Sequence, residues 1–257
     1  MKVSIITATF NSEKNIQRTI DSIVNQDYHD IEHIIIDGGS TDDTLKILKE
    51  NKTRISKYIS EKDKGIYDAL NKGIKLATGD IIGFLNSDDV FTNKHVISRI
   101  VNCFKTNKTD LVYGNLVYRS KKDNTNKKTI RYWRSNVYSP GCLKWGWMPP
   151  HPTLYCKREV YKDWGLYDET YKIAADYDFI LRVFKQPSVS KSFLPTIMVK
   201  MDIGGTSNKS FKNMIRKSTE DFKAIHRNKT GNLFTVFFKN FRKLNQFNSV
   251  KNNRLRC

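Results

Sequence analysis

The sequence has no long hydrophobic run and no recognisable leader. Its apolar stretches fall well short of the roughly 20 residues that a membrane-spanning helix needs. Met1 is followed directly by an apolar strand pattern, without the charged region, apolar region and cleavage site of a signal peptide. These absences predict a cytoplasmic protein that meets a membrane only from the side.

Cysteine is scarce, and its four copies stand apart in the chain: Cys103, Cys142, Cys156 and Cys257. None of them forms a CxxC pair, so the spacing suits neither a zinc site nor a disulfide framework. A reduced, intracellular chain is the expectation.

Glycine-rich phosphate loops are also missing, since the sequence has neither a P-loop nor a dinucleotide-binding GxGxxG motif. Basic residues, by contrast, are abundant: 45 Lys and Arg stand against 26 Asp and Glu, for a net charge of +19. Such a charge requires an acidic partner, which could be nucleic acid, an anionic membrane or a phosphorylated substrate. Much of the charge lies in residues 205–257, and the basic run at 119–134 predicts a solvated hairpin.

The first half of the chain alternates short apolar runs with amphipathic ones, which predicts an α/β fold with a mostly parallel sheet. The expected strands are 3–8, 31–37, 57–60, 81–85 and 111–113, and the expected helices are 13–26, 41–49, 66–76 and 94–104. After residue 115 the pattern becomes irregular, with a helix expected at 176–184 and a strand at 196–201. We therefore predict a domain over 1–205, divided into halves 1–114 and 115–205, and a basic helical tail over 206–257.

Small and acidic residues follow four of the predicted strands. They lie at 7–11, 37–42, 61–65 and 86–89. Because ligands of open α/β sheets bind at the carboxyl ends of the strands, these four turns should form one site. Carboxylates repel a diphosphate unless a cation lies between them, so a hard divalent ion such as Mg²⁺ or Mn²⁺ is expected here.

The motifs at these turns resemble those of family 2 glycosyltransferases, which have the GT-A fold. The matching segments are VSIITATFN at 3–11, IIIDGGSTD at 34–42, KGIYDALNKG at 64–73, ATGD at 77–80, FLNSDD at 84–89 and ADYDF at 175–179, with Arg182 after them. The resemblance covers about 1–205 and is nearest to bacterial enzymes of exopolysaccharide, capsule or O-antigen assembly. It implies transfer of a sugar from a UDP-, GDP- or dTDP-sugar to a glycan or a lipid-linked acceptor.

The resemblance also implies roles for individual residues. Asp176 would be the general base, and Asp89 would bind Mn²⁺ or Mg²⁺. The nucleotide-sugar would be bound by Thr7, Ala8, Thr9, Asn11, Asp37, Gly38, Ser40, Lys62, Asp63, Gly65, Tyr67, Asp68, Asn71, Lys72, Asn86, Ser87 and Asp88. The acceptor side would include Trp145, Trp147, His151, Asp178 and Arg182.

Two positions depart from the family pattern. Asn86 stands where the metal motif often begins with an acid, so the ion would be held by fewer protein carboxylates and more by the diphosphate. Ala175 stands where a Glu often precedes the base. A QxxRW motif of processive synthases is absent, which favours addition of a single sugar by one inverting displacement.

Simpler structural roles compete with these assignments. Asp88 and Asp89 could cap a helix, Asp176 could pair with Arg182, and the tryptophans and His151 could fill the core. Among other functions, a nucleotidyltransferase should carry a GGxGTR-like loop after the first strand, and 7–11 has no glycine. A nucleic-acid-binding protein would not explain acids at several strand ends, so no nucleic-acid partner is predicted.

The tail carries apolar residues at helical spacing among its lysines and arginines: Leu233, Phe234, Phe237, Phe238, Phe241 and Leu244. An amphipathic basic helix of this kind can pack on its own domain or lie on a membrane. We predict peripheral contact of 230–257 with an anionic membrane, at the cytoplasmic face.

Overall fold

The computed structural model describes residues 1–120, 128–202 and 211–252. Within these ranges the strands form one nine-stranded mixed sheet, and helices pack against it. The α/β fold predicted from the alternating pattern is confirmed. Residues 121–127 of the predicted hairpin, the predicted boundary at 205–206 and residues 253–257 lie outside the described residues.

The first four long strands are parallel, as the alternation predicts. They are β1 (Val3–Thr9), β2 (Ile31–Asp37), β3 (Lys57–Ser60) and β4 (Ile81–Phe84), in the spatial order β3-β2-β1-β4. The connections are α1 (Ile16–Val24), α2 (Thr44–Glu50) and α3 (Ile66–Leu76). Nearly every residue of β1 and β2 is buried because helices cover both sides of the sheet.

The second half turns the sheet into a mixed one. It contains β5 (Val90–Phe91), α4 (Val96–Asn107), β6 (Leu111–Arg119), β7 (Thr129–Trp133), β8 (Tyr155–Lys157), α5 (Arg158–Trp164), α6 (Ala175–Phe184) and β9 (Lys191–Asp202). β8 lies antiparallel between β4 and β6, whereas β9 runs parallel to β6 and antiparallel to β5. The predicted strands at 111–113 and 196–201 are therefore parts of much longer ones. β7 pairs with β6 as the returning arm of the basic hairpin.

Two helices follow, α7 (Phe211–Asn228) and α8 (Leu233–Asn252). α7 packs against α6, and α8 packs against β7 and a short 3-10 turn at Cys142–Trp145. Lys239 of α8 is buried and pairs with Asp221 of α7 at 2.6 Å. The tail helices thus pack on the domain. Among the described residues, no helix is long and apolar enough to cross a bilayer.

The central β1 strand lies directly against α3. A Cβ added at Gly73 would meet Cγ2 of Ile6 at 2.3 Å, so only glycine permits this close approach. The close packing fixes α3, whose first turn carries Tyr67 and Asp68, relative to the carboxyl ends of the parallel strands.

Candidate active site

The turns after β1, β2 and β4 meet through their own polar groups. The backbone N–H of Asn11 donates to Ser40 Oγ at 2.8 Å, and the N–H of Thr41 donates to Asn11 Oδ1 at 2.9 Å. Asn11 has φ +48°, in the left-handed region that Asn tolerates better than most residues. Ser12 Oγ and Ser87 Oγ lie 2.9 Å apart. The structure therefore brings these three turns together.

Side chains of β1 are less available than the sequence suggests. Thr7 is fully buried, with Oγ1 3.1 Å from His33 Nε2, so its side chain belongs to the core. Thr9 is also buried, and Ala8 is half-buried against the apolar core. Because the alternation of a strand points this side chain to the covered face, the predicted contact of Thr7 with the nucleotide would use its backbone.

Asp37 organises its own turn. Its buried carboxylate accepts hydrogen bonds from the N–H groups of Gly39 and Ser40, at 3.2 and 3.0 Å, and from Ser60 Oγ at 2.7 Å. Ser40 Oγ donates to the other oxygen. With both oxygens engaged and no exposed surface, Asp37 shapes the turn and is not placed to bind a base or ribose directly.

Asp63 is the more accessible carboxylate beside this turn, since it is half-buried. A Cβ at Gly38 would meet Asp63 Oδ2 at 2.5 Å, so the two residues are in contact. Asp63 Oδ1 accepts the N–H of Gly65 at 2.9 Å. Lys62 is exposed, with its backbone against Gly39.

The start of α3 carries a small charged network. Lys72 Nζ lies 2.7 Å from Glu61 and 3.3 Å from Asp68. A hydrogen bond from the backbone of Lys64 and the nearby Lys72 charge lower the pKa of Asp68. Asp68 and Lys72 are half-exposed and remain available at this edge.

Asn71 is a structural residue in this fold. It is buried, its Nδ2 donates to the carbonyl of Tyr167 at 2.9 Å, and its Oδ1 accepts the N–H of Tyr167 at 3.0 Å. This paired hydrogen bond uses the amide to tie α3 to the Tyr167 segment, and the donor-side role of Asn71 stays a prediction.

The acidic turn after β4 is held from behind by α1. Thr19 Oγ1 lies 3.0 Å from the carbonyl of Ser87 and 2.9 Å from that of Asp89. Arg18 Nη2 donates to the carbonyl of Asp88 at 2.9 Å and to Asp202 Oδ2 at 2.7 Å. Sequence reasoning missed Arg18, Thr19 and Asp202, because nothing in α1 or β9 marks them as neighbours of this turn.

Accessibility distinguishes the two acids of that turn. Asp89 is fully buried and accepts a hydrogen bond from Asn86 Nδ2 at 2.8 Å, whereas Asp88 is half-exposed. Burial raises the pKa of Asp89 well above its ordinary value, and Asp88 adds to the increase. The carboxylate that faces outward is therefore Asp88, with Asp89 behind it. The role of Asp89 as a metal ligand stays a prediction.

The acidic turn offers few ligands of its own for a divalent ion. Among the described residues, no group of three or more His, Cys, Asp or Glu side chains could hold a metal alone. Asp89 Oδ1, however, is buried and has no hydrogen-bond partner among them. A hard cation accepts such oxygen ligands and takes its remaining ones from phosphate and water. The donor set therefore fits an ion that is completed by a bound diphosphate.

Asp176 lies in the first turn of α6, in an aromatic setting. Tyr67 Oη is 3.2 Å from Asp176 Oδ1 and 2.7 Å from the carbonyl of Ile173, and the N–H of Tyr177 donates to the same carboxylate oxygen at 2.8 Å. Burial raises the pKa of Tyr67, and the charge of Asp176 adds to it, so the phenol stays a donor. Asp176 itself is half-exposed.

His151 belongs to the same cluster. Its ring stacks on Phe84 at 5.3 Å, and Nε2 is 2.7 Å from Tyr167 Oη. Burial lowers the pKa of His151, although the nearby charge of Asp176 opposes that shift. Tyr167 and Phe84 were missed by sequence reasoning, because isolated aromatics are far more often core residues than site residues.

The other residues expected at the acceptor side mostly lie in the interior. Trp147 is buried and donates from Nε1 to Asn136 Oδ1 at 2.7 Å. Asp178 is buried between Arg182 at 3.3 Å and Asn228 at 2.8 Å, and Arg182 donates to two backbone carbonyls. Each of these three side chains helps to hold α6 and its surroundings, and the acceptor-side roles stay predictions. Trp145 is 57 % exposed.

The charges of the acidic turn and of α6 both act on Tyr118 of β6. Burial raises the pKa of Tyr118 on β6, and the charges of both Asp89 and Asp176 raise it further. Arg131 of β7 lies over the Tyr118 ring at 4.5 Å. The two acidic centres, distant in sequence, thus lie near one side chain.

The chain is similar to known glycosyltransferases. The family described as Glycosyl transferase family 2 matches residues 4–163. A PGL/p-HBAD biosynthesis glycosyltransferase of Mycobacterium bovis is 30 % identical over 210 residues, which cover 80 % of this chain and 78 % of that protein. An uncharacterized glycosyltransferase of Mycobacterium tuberculosis is 32 % identical over 196 residues, covering 70 % of this chain and 68 % of that one.

Solved structures share the fold at low identity. S. aureus TarS 1-349 in complex with UDP-GlcNAc has a TM-score of 0.66 at 18 % identity, covering 89 % of this chain and 65 % of that one. Mannosyltransferase PcManGT of Pyrobaculum calidifontis, in complex with GDP-Man and Mn²⁺, has a TM-score of 0.63 at 18 % identity, covering 88 % of this chain. The chain spans 63 % of the mannosyltransferase and 39 % of a longer TarS chain. The protein described here belongs to glycosyl transferase family 2, and it is a glycosyltransferase with the GT-A fold.

Proposed function

We propose that the protein transfers a single sugar from a nucleoside diphosphate sugar to an acceptor hydroxyl, with the aid of a divalent metal and with inversion. The observation that carries this proposal is a pair of acidic centres: the Asn86–Asp89 turn, where the buried Asp89 Oδ1 has no hydrogen-bond partner among the described residues, and Asp176, whose Oδ1 lies 3.2 Å from the hydroxyl of Tyr67. One centre suits a diphosphate with its cation, and the other suits a proton acceptor. Neighbours crystallised with UDP-GlcNAc and with GDP-Man support a donor of this class.

Each acidic centre has a separate task. Asp88, backed by Asp89, would hold Mn²⁺ or Mg²⁺, which neutralises charge on the leaving diphosphate when bound. Asp63, Asp68 and Lys72 border the donor at the neighbouring turns. Because Asp37 already fixes its turn through internal hydrogen bonds, the donor would meet that turn through its backbone.

Asp176 acts on the acceptor. Its carboxylate takes the proton of the acceptor hydroxyl as the oxygen bonds to the anomeric carbon. The bond from that carbon to the diphosphate oxygen breaks on the opposite face, and the nucleoside diphosphate leaves with the bonding pair. Tyr67 donates to Asp176 and so directs one carboxylate oxygen, leaving the other to the acceptor. One displacement inverts the centre without a covalent intermediate.

The acceptor and the place of action are part of the same proposal. We infer a glycan or lipid-linked acceptor of bacterial surface polysaccharide synthesis, reached at the inner face of the membrane. The supporting feature is an aromatic ridge made of Trp145, Phe234, Phe237 and Phe241, which are 57, 71, 63 and 53 % exposed. Arg242 lies beside it and donates to the carbonyl of Trp145 at 2.9 Å. Aromatic residues flanked by cations suit the interface of an anionic bilayer.

Calorimetric titration with UDP, GDP and dTDP, each with and without Mn²⁺, tests the proposed chemistry. We expect one nucleotide to bind, and to bind more weakly without metal. Asp176→Asn should retain that binding and lose turnover, by about a hundredfold or more for a lost general base. Asp163→Asn, which removes an exposed carboxylate of α5, is the control and should be fully active. Full activity of Asp176→Asn, or metal-independent binding of every nucleotide, would contradict the proposal.

A further inference from the structure

The helix that carries Asp176 has no cap from its own sequence. Ala174 occupies the N-cap position of α6, and it makes no side-chain capping hydrogen bond. Ala175 follows, so no local carboxylate, amide or hydroxyl serves the backbone N–H groups that lead into the helix. Such groups need a partner when they are buried, and an uncapped helix start is free to fray.

The partner comes from another helix. Glu220 of α7 accepts the N–H groups of three consecutive residues, Lys172 at 3.1 Å, Ile173 at 2.8 Å and Ala174 at 3.0 Å. The Glu220 side chain is buried, with 8 % of its surface exposed. A carboxylate at the start of a helix is also favoured by the helix dipole. Glu220 therefore holds the backbone segment that leads into α6, at and before the N-cap position of the helix.

The backbone of residues 172–174 is directly connected to Asp176. The carbonyl of Ile173, whose N–H is bound by Glu220, accepts the hydroxyl of Tyr67 at 2.7 Å. That hydroxyl is also 3.2 Å from Asp176 Oδ1. A displacement of the 172–174 backbone would therefore move both the carboxylate and the phenol that directs it.

α7 is held at several points, so the position of Glu220 is well determined. Arg227 pairs with Asp168, and Asn228 donates to Asp178 of α6 at 2.8 Å. Asp221, the next residue, pairs with the buried Lys239 of α8 at 2.6 Å. The carboxylate of Glu220 is thus presented to α6 by a helix that is fixed on both sides.

We propose that Glu220 is a positioning residue of the transfer reaction, which aligns Asp176 by holding the backbone of residues 172–174 that leads into α6. The inference rests on the proposed function, in which Asp176 receives the acceptor proton. Glu220 itself is buried behind the turn and acts only through the 172–174 backbone. The tail helix α7 is then part of the catalytic apparatus.

The test compares substitutions at Glu220 with a control on the same helix. Glu220→Ala should lower kcat by about ten- to a hundredfold, as expected for a small misplacement of a reacting group. The Kd for the nucleotide with Mn²⁺ should stay unchanged, since α6 is not part of the donor turns. Glu220→Gln, which keeps one acceptor oxygen, should recover part of the lost kcat. Arg227→Ala loosens α7 at another contact and should leave kcat unchanged.

A double-substitution cycle separates this inference from the assignment of Asp176. If Glu220 acts through Asp176, then adding Glu220→Gln to Asp176→Asn should cause no further loss of kcat. Equal losses in kcat from Glu220→Gln and Arg227→Ala, or an additive loss in the double variant, would overturn the positioning role. Full activity of Asp176→Asn alone would instead overturn the assigned base.

Discussion

At the scale of single residues, the acidic turn after β4 contains one outward and one inward carboxylate. Asp88 is half-exposed, whereas Asp89 is fully buried behind it and accepts from Asn86. We predict that Asp88→Asn weakens Mn²⁺-dependent nucleotide binding by about tenfold or more, because an accessible ionised oxygen ligand is lost. Asp89→Asn should weaken it less. Calorimetry measures both, and a larger loss for Asp89→Asn would mean that the buried oxygen is the main ligand.

Single residues also mark the limit of what the sequence predicts. The positions of Asp176, Asn11 and the acidic turn follow from local motifs. Whether a given polar residue faces the ligand or the core depends on the register of strands and helices in three dimensions. Thr7 and Asn71 fall inside correct motifs but point to His33 and to the Tyr167 backbone. Such partners lie 26 and 96 residues away.

At the scale of elements, α8 reverses the usual arrangement of an amphipathic helix. Lys239 points inward to Asp221 and lies over the Tyr177 ring, while three phenylalanines point outward. Replacing Phe234, Phe237 and Phe241 together by Ser should abolish binding to phosphatidylglycerol vesicles, since the inserting surface is lost. Val24→Ser, an exposed apolar residue of α1, should have no effect.

Co-sedimentation with vesicles of phosphatidylglycerol and of phosphatidylcholine measures this binding. The intact protein should prefer the anionic vesicles and lose binding as salt rises, because surface charges are screened. Undiminished binding of the triple Ser variant would show that the aromatic ridge does not contact lipid.

Helices and strands differ in how well they can be predicted from their own sequences. β1 to β4 and α1 to α3 are predictable, since each is an apolar run or a clear helical stripe between turn residues. β8 is only three residues long, and its antiparallel place between β4 and β6 depends on long-range pairing. α7 is strongly polar, and the partner of its Glu220 lies 46 to 48 residues earlier.

At the scale of the whole molecule, His33 makes the stability of the fold depend on pH. Burial lowers its pKa to about 3 from 6.5, so the folded protein binds fewer protons than the unfolded chain between these values. Stability should therefore be complete above pH 6.5 and fall as the pH drops toward 3. The free energy of unfolding should be lower by about 2 kcal/mol at pH 5 than above pH 6.5, at roughly 1.4 kcal/mol per pH unit.

Urea unfolding at pH 7 and pH 5 measures this dependence. His33→Gln should be less stable at pH 7, because Thr7 loses its partner, but it should lose less stability between the two pH values. His29→Gln, at an exposed position, should keep the full dependence. If the stability of His33→Gln depends on pH as strongly as that of the intact protein, the pH dependence arises from other groups.

The hydrogen bonds from residues 172–174 to Glu220 of α7 limit how this enzyme could be recombined with its relatives. A hybrid that joined residues 1–202 to a foreign carboxyl-terminal segment would retain every recognisable family motif. It would still lack the carboxylate that Glu220 gives to residues 172–174. A hybrid that exchanges specificity between such enzymes should therefore take α6 and α7 from the same parent, with the junction placed before α6.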